Sequence, residues 1–212
     1  MNSKVTHINV GNLAENCWFL ANEDTKEAVV IDPGAEPDRI CATAEKHGWK
    51  ITAILLTHGH YDHIGSVNEV AAHFGCKIVG AAKEMPVFTD PALNCSQFVG
   101  GPIIVHPDIL VSEGDKVTVG DMEFDVMETP GHTVGSICFI GKDIIFSGDT
   151  LFAGSCGRVD LPGGSPAEMQ RSLALVADLP LPDETTVYPG HESFTTLGQE
   201  RRSNPYLMGE VF

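Results

Sequence analysis

The chain has 212 residues, enough for one sizeable core, and 1–212 reads as a single domain. Twenty-nine acidic against 13 basic residues leave a formal charge of −16, with the basic residues scattered, so a nucleic-acid partner is not expected. No apolar run approaches the roughly 18 residues that cross a bilayer. The opening Met1-Asn2-Ser3-Lys4 lacks the apolar block of an export signal, so a cytoplasmic location without a membrane partner is expected. The six cysteines are widely spread with no C-x-x-C pair, which reads as reduced thiols rather than a disulfide framework or a thiolate zinc site.

In chain order, alternation and apolar runs predict strands at 5–10, 17–20 and 28–31, the last broken by Asp32-Pro33-Gly34. A helix is expected over 38–47, stopped by Gly48, then a strand at 51–56 whose unbroken apolar run fits burial on both faces. Ile64, Val67, Val70, Ala71 and Phe74 recur at helical spacing up to Gly75, and a short strand follows at 77–79. Residues 81–112, punctuated by Pro86, Pro91, Gly100, Gly101, Pro102 and Pro107, read as a long irregular connection that could wall a pocket. Further strands are expected at 116–119, 123–128, 137–140, 143–146 and 185–188. Helices are expected at 166–177, with Ser165 as N-cap, and at about 195–202. Two rounds of strands followed by helices point to an α/β fold in four layers, αββα.

Between the buried strand and the next helix stands Thr57-His58-Gly59-His60-Tyr61-Asp62-His63. Imidazole and carboxylate are donors that hold zinc or iron in preference to calcium or magnesium. His58 and His60, two apart, point the same way in extended backbone and can share one ion, while Asp62 and His63 at the helix entry can serve a second. Other strand ends carry candidates in the same position: His132 after Thr129-Pro130-Gly131, Asp149 after Ser147-Gly148, and His191 after Pro189-Gly190. Asp32 has this placement too, but Asp-Pro-Gly reads as a turn. His7, His47, His73 and His106 have no ligand-like context, and His73 reads as paired with Glu69 one helical turn away. Trp18 and Trp49 read as packing residues.

The motif 57–63 with His132, Asp149 and His191 in order resembles the metallo-β-lactamase superfamily over the whole chain. Within it, the strings 151–160 and 200–207 are similar to short glyoxalase II-type hydroxyacylglutathione hydrolases. Soon after Pro205, where longer glyoxalases II continue into a helical domain that grips glutathione, this chain ends. The resemblance implies a first divalent ion on His58, His60 and His132, and a second on Asp62, His63 and His191, with Asp149 bridging. Zinc is the expected metal, with iron or manganese as alternatives. The implied activity is hydrolysis by metal-bound hydroxide, with His58, His60, Asp62 and Asp149 as the catalytic set. A thioester suits the site best, since a thiolate leaves unprotonated and the motifs provide no spare general acid. Arg158, with Gly157 and Cys156 beside it, is expected to contact a small anionic substrate; Cys156 itself reads as apolar filler ahead of a reactive thiol. A mononuclear iron persulfide dioxygenase, using His58, His132 and Asp149, and a lactone or other ester hydrolase of the same fold stand as alternatives.

Overall fold

A computed structural model describes residues 3–120 and 122–211. Met1 and Asn2 of the opening stretch, with Asp121 and Phe212 of the single-domain span, lie outside the described residues. Side chains alternate across a strand, and here both directions are apolar. In β2 (Glu15–Asn22), Cys17, Phe19 and Ala21 enter one buried cluster while Trp18 and Leu20 enter another. β3 (Glu27–Ile31) divides in the same way, Ala28 and Val30 against Val29 and Ile31. Such strands have to be sandwiched, and two six-stranded sheets supply the sandwich.

The first sheet runs in chain order: β1 (Ser3–Val10), β2, β3, β4 (Lys50–Leu55), β5 (Lys77–Ala81) and β6 (Ile109–Val111). It is antiparallel up to β3 and parallel beyond it. The second holds β7 (Lys116–Val119), β8 (Met122–Glu128), β9 (Ile137–Ile140), β10 (Ile144–Gly148), β13 (Thr186–Pro189) and β14 (Thr195–Thr196). Its spatial order is β14-β13-β10-β9-β8-β7, and a small hairpin, β11 (Leu151–Phe152) with β12 (Ser155–Cys156), leads out of β10. Parallel neighbours need crossovers. α1 (Pro37–His47) and α3 (Val67–Phe74) cover the outer face of the first sheet, and α5 (Pro166–Ala177) crosses the second between β10 and β13. Three apolar layers result. Phe19, Ile54 and Leu56 pack against α1 and α3; Leu20, Ile31, Phe124, Phe139 and Phe146 fill the space between sheets; Cys138, Ile145 and Val187 meet Met169, Leu173 and Val176 of α5. The αββα expectation holds.

Four details depart from the sequence reading. The helix expected from Ile64 onward is two pieces, α2 (Tyr61–Ile64) and α3, because Ser66 donates its amide to Pro33 (2.9 Å) and a Cβ at Gly65 would lie 2.2 Å from the Gly34 carbonyl oxygen. The connection 81–112 contains α4 (Met85–Thr89), 3₁₀ turns at 82–84 and 96–98, and the edge strand β6, whose three residues are too few to show a period. Thr195 and Thr196 pair with β13, and α6 (Leu197–Ser203) starts after them with the Thr196 hydroxyl accepting from the Gln199 amide (3.3 Å). His73 Nε2 lies 2.8 Å from Glu45 on α1 rather than against Glu69. All six cysteines are free.

Phe139 is fully buried between the sheets. Phe139→Ala should cost about 3–5 kcal/mol of unfolding free energy in urea titrations; a loss under about 1 kcal/mol would mean that the layer closes over the gap.

Candidate metal centre

The turns after β3, β4, β8, β10 and β13 lie at one edge of the sandwich and bring the sequence candidates together. Hydrogen bonds behind them set the tautomers. Thr57 donates its one hydroxyl proton to Asp32 Oδ2 (2.5 Å), so it accepts from His58 Nδ1 (3.1 Å), which turns the His58 Nε2 lone pair toward the centre. His132 Nδ1 donates to the Arg158 carbonyl oxygen (2.7 Å) and His63 Nδ1 to Asp32 Oδ2 (3.1 Å), leaving both Nε2 atoms facing inward. Asp32 Oδ1 also accepts the Thr57 amide (2.8 Å).

Two clusters of ligand-type atoms follow, His58/His60/His132 and Asp62/His63/His191, each with its atoms within 4.8 Å of one another. His60 Nδ1 and His132 Nε2 stand 2.8 Å apart. Asp149 reaches both clusters, with Oδ1 3.3 Å from His63 Nε2 and Oδ2 3.4 Å from His132 Nε2 and 3.7 Å from His191 Nε2. His191 Nε2 is 3.2 Å from Asp62 Oδ2. A third grouping, Asp32/His58/His63, draws on a carboxylate already committed to Thr57 and His63. His58 Nε2, His60 Nε2, His63 Nε2 and Asp149 Oδ1 are buried without a hydrogen-bond partner. Buried polar atoms left unpaired are costly; with His60 turning its Nδ1 to the first cluster, this donor set fits divalent transition-metal ions.

The electrostatics agree. Burial, reinforced by the neighbouring His63, holds His58 neutral well below the ordinary imidazole range. Burial, then His132, brings His60 down to about 3. Burial opposes charge on His63 as well, but Asp149 and Asp62 outweigh it and raise its proton affinity well above the usual range. For Asp149, burial is overcome by His63, which holds the carboxyl well below its usual value. His63 thus carries the positive charge that balances the carboxylates, and ions bound here would displace its proton. Behind it, Glu15 is fully buried, and burial lifts its carboxyl well above the ordinary range.

A cavity of about 550 Å³ opens over the clusters, walled by Leu13, Tyr61, Cys95, Phe152, Leu161 and Glu192 among others. Cys156 lines it with a thiol pushed by burial up to about 11, which suits packing and not nucleophilic attack. Arg158 stands at its rim, its guanidinium chelating Asp160 at 2.7 and 2.8 Å with both side chains exposed. Gly157 lies under the site: a Cβ there would be 2.0 Å from the Asp149 carbonyl oxygen.

Four supporting residues escaped the sequence reading. Asp32 makes the expected turn, with φ at +51°, and is also the shared acceptor for Thr57 and His63; its position at a strand end, as for Asp149, was the available signal. Asn16 donates to the Pro189 and Glu192 carbonyls (3.0 and 2.8 Å) and Trp18 Nε1 to Pro189 (2.8 Å), clasping the loop that carries His191. Glu84, buried, accepts the Gly59 and Gly135 amides. These last three have no pattern in sequence, because their partners are backbone groups 25 to 176 residues away.

With fold and site in place, the comparisons agree on the class. The sequence profile of the metallo-β-lactamase superfamily matches residues 10–191, and the chain belongs to that superfamily of metal-dependent hydrolases. Hydroxyacylglutathione hydrolase GloC of Haemophilus influenzae is 37% identical over 198 residues, covering 91% of this chain and 92% of that protein. Among solved structures, BLEG-1 B3 metallo-beta-lactamase superposes with a TM-score of 0.90 at 38% identity, over 97% of this chain and 100% of its own. TTHA1623 in a di-iron-bound form superposes at 0.84 with 35% identity, over 95% and 99%. No helix among the described residues is long and apolar enough to cross a membrane.

Burial raises the Glu84 carboxyl from 4.5 to about 7. The folded state therefore binds this proton more tightly than the unfolded one, so the stabilisation is complete below 4.5 and is lost as pH rises through about 7. In metal-free protein, the unfolding free energy of wild type minus that of Glu84→Gln should fall by on the order of 3 kcal/mol between pH 4.5 and 7.5. A constant difference across that range would refute the buried, titrating carboxyl.

Proposed function

We propose that the protein is a dinuclear thioester hydrolase acting in the cytoplasm on a small anionic substrate of the hydroxyacylglutathione type. The observation that carries this reading is Asp149 set between two three-residue clusters. His58, His60 and His132 would hold one divalent ion and Asp62, His63 and His191 the other, with Asp149 shared; zinc is the first choice, iron or manganese the next. Bound there, such ions supply an acidified water at neutral pH and an electrophile for a carbonyl oxygen.

The chain's own groups do the rest. His58 and His60, held neutral, keep their lone pairs available, and Asp62 would orient the attacking water as well as hold the second ion. Every imidazole lining the cavity belongs to the two clusters, so no spare one remains to protonate a departing amide nitrogen, whereas a thiolate departs as the anion. At the rim, an incoming carboxylate exchanges with Asp160 for the Arg158 guanidinium; an exposed ion pair is worth about 0–1 kcal/mol, so the exchange costs little. Cys156 offers a neutral packing surface, and Gly157 lets the backbone lie close to Asp149. The likeness to the H. influenzae hydrolase supports the thioester. The likeness to BLEG-1 carries the second reading, hydrolysis of a β-lactam amide. Assays on a glutathione thioester and a β-lactam separate the two, with turnover of the thioester expected to dominate.

Metal content by mass spectrometry should be about two ions per chain. Asp149→Ala should lower occupancy of both sites and His191→Ala mainly that of the second; full occupancy in the Asp149 variant would remove the bridging role. Arg158→Ala should raise KM for a glutathione thioester about tenfold with kcat little changed, and leave a small uncharged thioester untouched. Equal losses on both substrates would show that Arg158 only stiffens its loop through Asp160.

A further inference from the structure

The first cluster is assembled from two sheets: His58 and His60 sit on the turn after β4, His132 on the turn after β8. Glu84, the last residue of the 3₁₀ turn 82–84, lies between those turns with no exposed surface. Its Oε1 accepts the amide of Gly59, the residue between His58 and His60, at 2.8 Å. Its Oε2 accepts the amide of Gly135, three residues beyond His132, also at 2.8 Å. Both turns press on the same short segment. A Cβ at Gly135 would stand 2.3 Å from the Glu84 nitrogen, and one at Gly59 2.9 Å from Val87 Cγ1 on α4. Among the described residues no salt bridge reaches Glu84, and burial lifts its carboxyl to about 7. A buried carboxylate without a counter-ion is an expensive way to join two loops, since apolar packing of the same volume is commonly as stable or more so. What it adds is geometry: two acceptor atoms on one rigid plane.

We propose that Glu84 is a positioning residue for the first metal site, its carboxylate clamping the Gly59 and Gly135 amides so that His58, His60 and His132 converge on one ion. The inference rests on the two-metal reading above and sharpens it, because the second cluster is braced by different groups. Asp32 orients His63, and Asn16 and Trp18 hold the loop of His191. Loss of the clamp must therefore be felt by one site and not the other. Glutamine is the discriminating replacement, since its amide nitrogen sets a donor against one of the two backbone donors while preserving shape.

The test is zinc affinity, by competition with a chelating dye, in two single-site backgrounds: His191→Ala, which leaves the first site, and His60→Ala, which leaves the second. Adding Glu84→Gln should weaken zinc binding ten- to a hundredfold in the His191→Ala background, the usual effect of losing an orienting group behind a ligand. It should leave binding in the His60→Ala background unchanged. Glu84→Asp, which keeps the charge but is one methylene too short to span both amides, should follow the glutamine variant and serves in its place if that variant does not fold. Equal weakening in both backgrounds, or none in either, overturns the proposal. If wild type takes up a single ion, the two-metal reading fails, and the His191→Ala comparison alone still decides the role of Glu84.

Discussion

One carboxylate ties the two halves of the centre to the first sheet. Asp32 accepts the amide and hydroxyl of Thr57 and the ring proton of His63. Through Thr57 it also fixes the tautomer of His58, so a single side chain at the end of β3 sets the direction of one lone pair in each cluster. The arrangement is possible because the strand ends interlock closely: a Cβ at Gly148 would come within 2.3 Å of the Thr57 hydroxyl oxygen. Rotating either histidine would break a buried hydrogen bond at its back, and buried polar groups left unmade cost about 1–3 kcal/mol. His58 and His63 are thereby hydrogen-bonded from behind without the help of any ion.

The layers and the seven ligand-type residues were legible in the sequence for a common reason: local pattern and chemistry coincided. Strands buried on both faces appear as unbroken apolar runs, and the His-x-His-x-Asp-His string is compact enough to stand out. His132, Asp149 and His191 each stand in the turn after a strand, and it is the resemblance of their order to the superfamily motif that marked them as ligands. What stayed hidden was whatever depends on partners remote in sequence. Glu84 looks like any acidic residue after a lysine, and nothing in Asn16 announces that it will hold a loop more than 170 residues away. Asp32 was misjudged by half, since its turn conformation and its role as acceptor are the same fact seen locally and globally. The short strand β6 and the break between α2 and α3 escaped because each is decided by a neighbouring backbone, Val79–Ala81 in one case and Pro33–Gly34 in the other.

The formal charge of −16 has a local counterpart at the centre, where Asp62 and Asp149 stand among the imidazoles and Asp32 lies behind them. Most of that negative charge lies out of reach of water, so it is not screened as surface charge is. Cations are drawn in strongly, and anions are drawn in only where positive charge has been placed for them. Capture of a metal ion and capture of an anionic substrate of the proposed kind would thus make opposite demands on one small volume.

The link between His132 and Arg158 separates those demands. His132 takes its orientation from the carbonyl oxygen of residue 158 and never touches the guanidinium. Because every amino acid carries the same carbonyl, that position could pass through many side chains in the course of divergence without disturbing the imidazole behind it. A substitution at 158 would therefore change the charge and size of the cavity's rim while leaving in place the bond that orients the imidazole beneath it.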